Sequence, residues 1–413
     1  RIVRFAQVTA IPHRQKQRAI VALCCGVAAA LMLPAGLVVG YNSVLNSGNG
    51  TNINNVKTLT IPSTPVALLA TVNSSNEVTS INVIALSGNS LGGTIISLPA
   101  KSMAEVAEDE DARRVSDSYT GGDASAFVAD VEGLLDVSIS TVGILKRADL
   151  IELFDPIGPA EILLDSDVRN TEPDGTQRTV AKIGRTTVET TTLVDILLAR
   201  QIDQVEADRF NHQKSVLTAI ANTVGLGLKL EPAASTTESP ADFKSVFQRL
   251  ISGPVQVWQF AASAVAAGEL NPNSIDMYQL DTAEVTMIMA SVAPTSKTGS
   301  DLSGQLSVQI DSPFNNAVVS REIVRRLMAY GLNIAIVREV PGPPQEVTRV
   351  LYVDSNVLSG VEDLASFIGE VSAGRTNERA QGIDLQIVIG ATFAQFLESN
   401  PEIPTTTLSV GDE

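Results

Sequence analysis

Three polar side chains near the middle of the chain have the spacing of one helix face. Glu206, Arg209 and Gln213 follow one another at steps of three and four residues, which places them on the same side of an α-helix. The stripe continues into apolar residues at 216–220, which predicts that it enters a core. Polar groups on such a stripe are typical of a pocket wall. The alternative is a solvated first turn, with Glu206 near the positive end of the helix.

Histidine and cysteine are scarce, which excludes several kinds of chemistry. Cys24 and Cys25 are the only cysteines and lie in an apolar run, and His13 precedes that run. The region after it therefore has no thiol nucleophile, no disulfide and no cysteine metal site. A Ser-His-Asp hydrolase in this region would have to use His212. The formal net charge of −17 argues against nucleic acid as a partner.

The apolar run at residues 19–41 predicts a transmembrane helix. It carries no charged side chain and is long enough to cross the roughly 30 Å hydrocarbon core of a bilayer. Residues 1–18 are basic and contain no acidic residue, so we expect a single-pass cell-membrane protein with a cytoplasmic N-terminus and an extracellular remainder. The alternatives are a cleaved signal peptide and a buried core helix. Residues 42–65, rich in Asn, Ser, Gly and Thr, are predicted to be a tether.

The rest of the chain divides into two predicted domains. Short apolar runs alternate with helical patterns through residues 66–292, which predicts a layered α/β domain. Residues 255–267 are predicted to form a helix of this domain, and the acidic run at 105–114 is predicted to be a solvated face. Residues 293–304 have the composition of a linker.

The pattern β-α-β-β-α-β in residues 305–400 predicts a small two-layer α+β domain, followed by a tail at 401–413. This domain has no histidine or cysteine, and its carboxylates are scattered. We therefore predict a binding or docking unit, with other envelope proteins among its partners.

The order of segments in the first domain resembles the extracellular catalytic domain of LytR-CpsA-Psr proteins. The segments that carry the resemblance are LLATV, SINVIALS, GTIISLP, ISTVGILKRADLIELFDPIG and LLARQIDQVEADRFNHQKSVLTAI, within residues 65–294. The resemblance implies a three-layer α/β/α domain with a central mixed sheet. It also implies a membrane-anchored protein that binds a polyprenyl-pyrophosphate lipid and, with magnesium, transfers a phospho-glycopolymer to peptidoglycan or another acceptor. Residues 305–400 resemble the C-terminal module that often follows this domain.

The resemblance also implies site residues. Glu206 occupies the position of an Asp that the family has near its metal. Four residues correspond to the phosphate-binding residues of the family: Arg200, Arg209, His212 and Gln213.

Three other positions depart from the family pattern. Ile81 replaces a metal-binding Asp, and Ala100 and Ile202 each replace an arginine. A pyrophosphate needs several fixed cations, and magnesium needs hard oxygen ligands. These substitutions therefore predict a weakened phosphate and metal site.

Three functions remain open. The favoured hypothesis is a catalytically degraded envelope protein that serves in cell-wall assembly as a scaffold or a binder of polyprenyl-phosphate or glycan. The second is an active transferase with a divergent site, and only this hypothesis requires magnesium. The third is a non-catalytic envelope sensor or adhesion module. Under the first two hypotheses the partners are the membrane and a polyprenyl-linked glycan or peptidoglycan.

Overall fold

The computed structural model describes residues 56–106, 112–172, 174–202, 204–231, 234–235, 240–298, 305–361 and 363–403. The predicted cytoplasmic segment at 1–18, the predicted membrane helix at 19–41, most of the tether and residues 404–413 of the tail lie outside these ranges. Among the helices within them, none combines the length and the apolar character needed to cross a membrane.

The first domain contains the strands and helices that position the candidate site. A short strand, β1 (Lys57–Leu59), precedes this domain. The strands of the domain are β2 (Val66–Val72), β3 (Val78–Leu86), β4 (Gly93–Leu98), β5 (Thr141–Leu145), β6 (Ala160–Leu164), β7 (Val168–Thr171), β8 (Gln177–Ala181), β9 (Gly184–Val188), β10 (Val255–Gln259), β11 (Ala262–Ala264) and β12 (Tyr278–Leu280). Its helices are α1 (Ser125–Leu135), α2 (Arg147–Phe154), α3 (Thr190–Leu198), α4 (Glu206–Val224), α5 (Phe243–Ile251) and α6 (Thr282–Val292).

A mixed five-stranded sheet forms the centre of this domain. Its order is β10-β4-β3-β2-β5, with β3 antiparallel to both neighbours and the two outer pairs parallel. Strands β2, β3 and β4 are buried throughout, so both faces of the sheet are covered. One face packs against α1 and α6, and the other packs against α2 to α5. The predicted α/β fold with a central mixed sheet is confirmed.

The prediction of a helix at residues 255–267 is wrong. Residues Val255–Gln259 form the edge strand β10, parallel to β4, and Ala262–Ala264 form β11. The sequence VQVWQ alternates apolar and polar residues with the period of a strand, but the alanines that follow it suggest helix. Pairing with β4, more than 150 residues away in sequence, decides the outcome.

Elements of the second domain follow residue 305. They are β13 (Ser307–Ser312), α7 (Ala317–Ala329), β14 (Asn333–Glu339), β15 (Thr348–Tyr352), α8 (Ala365–Ile368), β16 (Val371–Arg375), β17 (Glu378–Ala380), β18 (Leu385–Val388) and α9 (Thr392–Ser399). Five of these strands form a mixed sheet in the order β14-β13-β18-β15-β16. The second helix of this pattern, predicted at residues 361–371, is reduced to α8, and a 3-10 turn at Ser355–Gly360 precedes it.

Helix α6 joins the two domains. It packs against α1 and the central sheet on one side, and against α7 and β14 of the second domain on the other. The apolar side chains of both domains form one continuous cluster around it. Past the end of α6, Lys297 Nζ donates to the carbonyl oxygen of Ile334 in β14 at 2.8 Å. The start of the predicted linker is therefore fixed to the second domain.

The two ends of the first domain lie side by side. The backbone N–H of Thr64 donates to Thr295 Oγ1 at 2.7 Å, and Ser296 Oγ donates to the carbonyl oxygen of Thr64 at 2.7 Å. Just upstream, the carbonyl oxygen of Leu59 accepts from the backbone N–H of Gln381 in the second domain. The described end of the predicted tether is thus hydrogen-bonded to both domains.

Replacing Asp281 should loosen the junction between the domains. One carboxylate oxygen of Asp281 caps α6 by accepting from the backbone of Ala283 and Glu284, and the other is 3.0 Å from Arg325 Nη2 of α7. We expect Asp281→Ala to lower the free energy of unfolding by about 1–2 kcal/mol, the usual loss for a helix cap with an added exposed ion pair. Urea denaturation measures this loss. Asp281→Asn keeps the cap and should lose less; equal losses would contradict this explanation.

Candidate functional site

A buried ion pair occupies the first turn of α4. Glu206 and Arg209 are 1% and 3% exposed, and Arg209 Nη1 donates to Glu206 Oε2 at 3.1 Å. Glu206 Oε1 accepts from the backbone N–H of Ala100 at 3.1 Å, and Arg209 also donates to the carbonyl oxygens of Thr79 and Ala199. Burial lowers the pKa of Arg209, the Glu206 charge opposes this shift, and Arg200 adds to it. Arginine nevertheless stays charged in proteins, so Arg209 is a fixed cation beside the carboxylate of Glu206.

An open pocket of about 430 Å³ lies above this pair. Its wall comes mainly from the turn before β3, the segment after β4, residues 114–121 and the α3–α4 connection. Few apolar side chains line it, so it is a polar pocket rather than an apolar cavity. Four cationic and three acidic side chains line it: Lys101, Arg114, Arg200, Arg209, Glu77, Asp117 and Glu206.

Three of the four cations already have a carboxylate partner. Arg209 pairs with Glu206, Arg114 Nε is 2.7 Å from Asp117 Oδ2, and Lys101 Nζ is 2.6 Å from Asp276 Oδ2. The guanidinium of Arg200 has no hydrogen-bond or ion-pair partner within the described part of the chain. An anion entering the pocket would therefore meet Arg200 as the cation that is not yet neutralised.

A second set of contacts fixes the start of α4. Asp276 Oδ2 accepts from the backbone N–H of Glu206 at 3.1 Å as well as from Lys101 Nζ. Burial opposes the ionisation of Asp276, but hydrogen bonds from Lys101 and Tyr278 hold its pKa below the usual value. Burial and the bond to Asp276 raise the pKa of Tyr278 to about 12. Asp276 therefore serves as an ionised anchor that holds both the helix start and the lysine.

Gln213 and His212 take different positions on α4. Gln213 Nε2 donates to the carbonyl oxygen of Thr79 at 3.2 Å, the same oxygen that accepts from Arg209, so Gln213 lies behind the ion pair. His212 faces the turn after β6, where its Nε2 is 2.8 Å from Ser166 Oγ and 4.0 Å from Asp165 Oδ1. The structure thus brings Arg200, Arg209 and Glu206 to the pocket wall, and places Gln213 and His212 away from it.

His212 should make the protein less stable in mild acid. Burial is the main cause that lowers its pKa below the usual value, and Arg209 adds to it, while Asp165 and Asp208 act in the opposite direction. A depressed histidine pKa means that the folded state binds the proton less readily than the unfolded chain. The stability contribution is therefore complete above about pH 6.5 and is lost as the pH falls from there through the folded-state pKa.

We expect the urea midpoint of the wild type to decrease as the pH is lowered from about 8 to about 5. His212→Gln should reduce the part of this decrease that occurs below about pH 6.5. An identical pH profile for wild type and variant would contradict the assignment. Ser166→Ala is the matched control, because it removes the hydroxyl partner but leaves the imidazole buried.

The positions that depart from the family pattern are placed as follows. Ile81 is fully buried in the apolar cluster that contains α1 and α6, so its side chain faces the core. Ala100 contributes only its backbone N–H, which binds Glu206. Ile202 is 67% exposed beside the pocket. Lys101, one residue after Ala100, reaches the pocket and supplies a cation there.

The side chains that line the pocket do not form a binding site for a magnesium ion. Magnesium is usually held by one or two accessible carboxylates together with substrate phosphates. No group of three or more His, Cys, Asp or Glu side chains that could hold a metal occurs in the described ranges. Both oxygens of Glu206 accept hydrogen bonds from the protein, and its side chain is almost completely buried. We therefore derive no chemical step through a metal.

A larger groove of about 960 Å³ adjoins the pocket. Ser75, Glu77 and Arg200 line both, so Arg200 stands at their common border. Two of the four cations that line the groove are paired: Arg147 binds Asp195 through two nitrogens, and Arg178 binds Glu172. The groove continues from Arg200 towards the start of α2.

Sequence reasoning missed several residues of the pocket. Arg114 is the last residue of the acidic run that was predicted to be a solvated face, and Lys101 was not among the candidate residues. Asp276 is 175 residues from the lysine that it binds. A basic residue two positions after the proline that follows β4 was the one available signal for Lys101.

Comparison with known proteins gives matches only among solved structures. No protein-family model matches the chain, and no curated protein matches it. TagV of B. subtilis shares 14% identity over 55% of this chain and 94% of its own, with a TM-score of 0.41. TagT of B. subtilis shares 16% identity over 55% of this chain and 88% of its own, with a TM-score of 0.40.

A third match is a LytR-CPS2A-psr family protein, YwtF (TagT), with bound octaprenyl pyrophosphate lipid. It shares 15% identity over 54% of this chain and 87% of its own, with a TM-score of 0.40. The solved structures that match this chain thus include a member of the LytR-CpsA-Psr family, which the sequence also resembles. The match covers about half of this chain. At these identities and TM-scores the likeness assigns no role to any residue of this chain.

Proposed function

We propose that this protein binds the phosphate-bearing head of an envelope glycan carrier and does not transfer it. The observation that carries the proposal is Arg200, a guanidinium without a partner among the described residues, at the border of a polar pocket and a larger groove. Paired arginine and lysine side chains around it supply further N–H donors. Guanidinium binds phosphate oxygens with two parallel hydrogen bonds, so one phosphate suffices to engage Arg200.

The same geometry argues against transfer. Phosphoryl-type transfer depends on positioned cations and usually a metal that neutralise charge in the transition state. In this pocket most cations are already neutralised by Glu206, Asp117 and Asp276, and the carboxylate of Glu206 is enclosed. We infer a scaffold or binding role in cell-wall assembly.

The predicted topology supports a role outside the cell. We propose that residues 19–41 anchor the protein in the membrane with the described domains on the extracellular side, because basic residues precede this run and no acidic residue does. The second domain, held against the first through α6, is then a docking unit in fixed orientation to the pocket.

A titration of the full chain in detergent with inorganic pyrophosphate tests the binding role. We expect saturable binding without magnesium that weakens about 10- to 100-fold in Arg200→Ala, because hydrogen bonds to charged groups contribute about 1.5–3 kcal/mol each. Arg185→Ala is the matched control, since Arg185 pairs with Glu161 on an exposed hairpin away from the pocket. Absence of wild-type binding, or equal affinity in Arg200→Ala, would overturn the proposal and favour a sensor or adhesion role.

A further inference from the structure

A stripe of buried polar side chains crosses the central sheet on the face that α4 covers. Thr71 of β2 pairs in register with Ser80 of β3, and Asn82 of β3 pairs with Ser97 of β4. Alternation along the strands places these four on the same face as the apolar residues that pack under α4. We call Thr71, Ser80, Asn82 and Ser97 the polar stripe. All four are completely buried.

Helix α4 closes over this stripe with polar groups of its own. Gln259 of β10, the register partner of Ser97, donates through Nε2 to the carbonyl oxygen of Phe210 in α4 at 2.7 Å. Gln213 of α4 is 1% exposed and lies on the same side of the helix as Arg209. The space between sheet and helix is therefore polar at this end, whereas it is apolar further along α4.

Three buried acceptor atoms in this space have no protein partner among the described residues. They are Asn82 Oδ1, Ser97 Oγ and Gln213 Oε1. Buried polar groups in proteins are nearly always satisfied by protein or by ordered water. An apolar group placed against them would leave all three unsatisfied, which opposes its binding.

The polar stripe lies directly behind the pocket. The carbonyl oxygen of Thr79 accepts from both Arg209, which lines the pocket, and Gln213, which covers the stripe. A hydrocarbon chain that passed inward from a phosphate in the pocket would therefore meet these acceptors after Arg209. The hydroxyl cluster of Thr71, Thr79 and Ser80, with oxygen–oxygen distances of 2.7 Å, adds to this barrier.

We propose that the space under α4 is a hydrated polar chamber that excludes an apolar tail, so that the site recognises the phosphate head and is indifferent to tail length. This inference rests on the proposed binding of a phosphate head. It adds that the region under α4 gives no specificity for the tail, and that a lipid tail does not enter there. A soluble prenyl pyrophosphate then binds as well as a long-chain one.

Equilibrium dialysis of the full chain in detergent tests this, because it measures free ligand. The probes are isopentenyl, geranyl and farnesyl pyrophosphate, which carry the same head and one, two and three isoprene units. We expect dissociation constants within about threefold of one another. If the tail were buried, each added isoprene unit would raise the affinity by well over tenfold, given the free energy of burying methylene groups; such a rise would overturn the inference.

A variant with an apolar chamber provides the matched comparison. Ser97→Ala combined with Gln213→Met removes two of the unpartnered acceptors, and should introduce a preference of roughly tenfold or more for the longer tail. A folded variant that stays indifferent to tail length would show that the stripe does not exclude the tail. If the variant does not fold, the wild-type series decides.

Failure of all three probes to bind would overturn the proposed function and this inference with it, whereas tight but tail-dependent binding would overturn this inference alone.

Discussion

Glu206→Ala should lower the free energy of unfolding by about 3–5 kcal/mol, the usual loss when one member of a buried ion pair is removed. Arg209 is almost fully buried and its charge has Glu206 as its carboxylate partner. The substitution also leaves the backbone N–H of Ala100 without its acceptor. Urea denaturation followed by circular dichroism measures the loss.

Two further variants make the explanation specific. Arg209→Met in the Glu206→Ala chain removes the uncompensated charge, so the double variant should be more stable than Glu206→Ala alone. Glu161→Ala breaks the exposed pair with Arg185 and should cost no more than about 1 kcal/mol. A loss in Glu206→Ala that is as small as in Glu161→Ala would show that the pair does not hold the start of α4.

The purified protein should transfer no phospho-glycan from a polyprenyl-pyrophosphate donor, with or without magnesium. Each missing charged contact could remove on the order of 2–4 kcal/mol of transition-state stabilisation, taking an oxyanion-hole donor as the nearest measured case. Ile81, Ala100 and Ile202 lack three such groups, and Lys101 replaces at most one. The combined loss amounts to several orders of magnitude in rate, although such losses are not additive.

The assay needs a known transferase of this family as positive control and donor binding measured in parallel. Donor binding without turnover is the expected pattern. Magnesium-dependent transfer that disappears in Arg200→Ala would establish the active-transferase alternative.

Local patterns in the sequence predicted the elements that carry most of the site. The spacing of Glu206, Arg209 and Gln213 predicted one helix face, and α4 places all three on the side that faces the sheet and the pocket. Helix α5, at Phe243–Ile251, has apolar residues at helical spacing, and this pattern is visible in the sequence. Apolar runs likewise predicted β2, β3 and β4, because strands covered on both faces are continuously apolar.

Contacts between distant segments could not be predicted from one sequence. Asp276 reaches Lys101 and the start of α4 only because the segment before β12 returns to that place. The strand β10 owes its conformation to β4, and the polar stripe results from the register of three strands. None of these pairings leaves a local signal in composition or periodicity.

The adjacent ends of the first domain determine how the protein would respond to mechanical tension. If the chain before Leu59 is anchored and the second domain is held by another structure, the force first loads the bond between Leu59 and Gln381 and then the contacts between Thr64, Thr295 and Ser296. These bonds carry the load in parallel with the whole domain, so the central sheet and the pocket are bypassed until the contacts break. The pocket would therefore keep its shape until these bonds break.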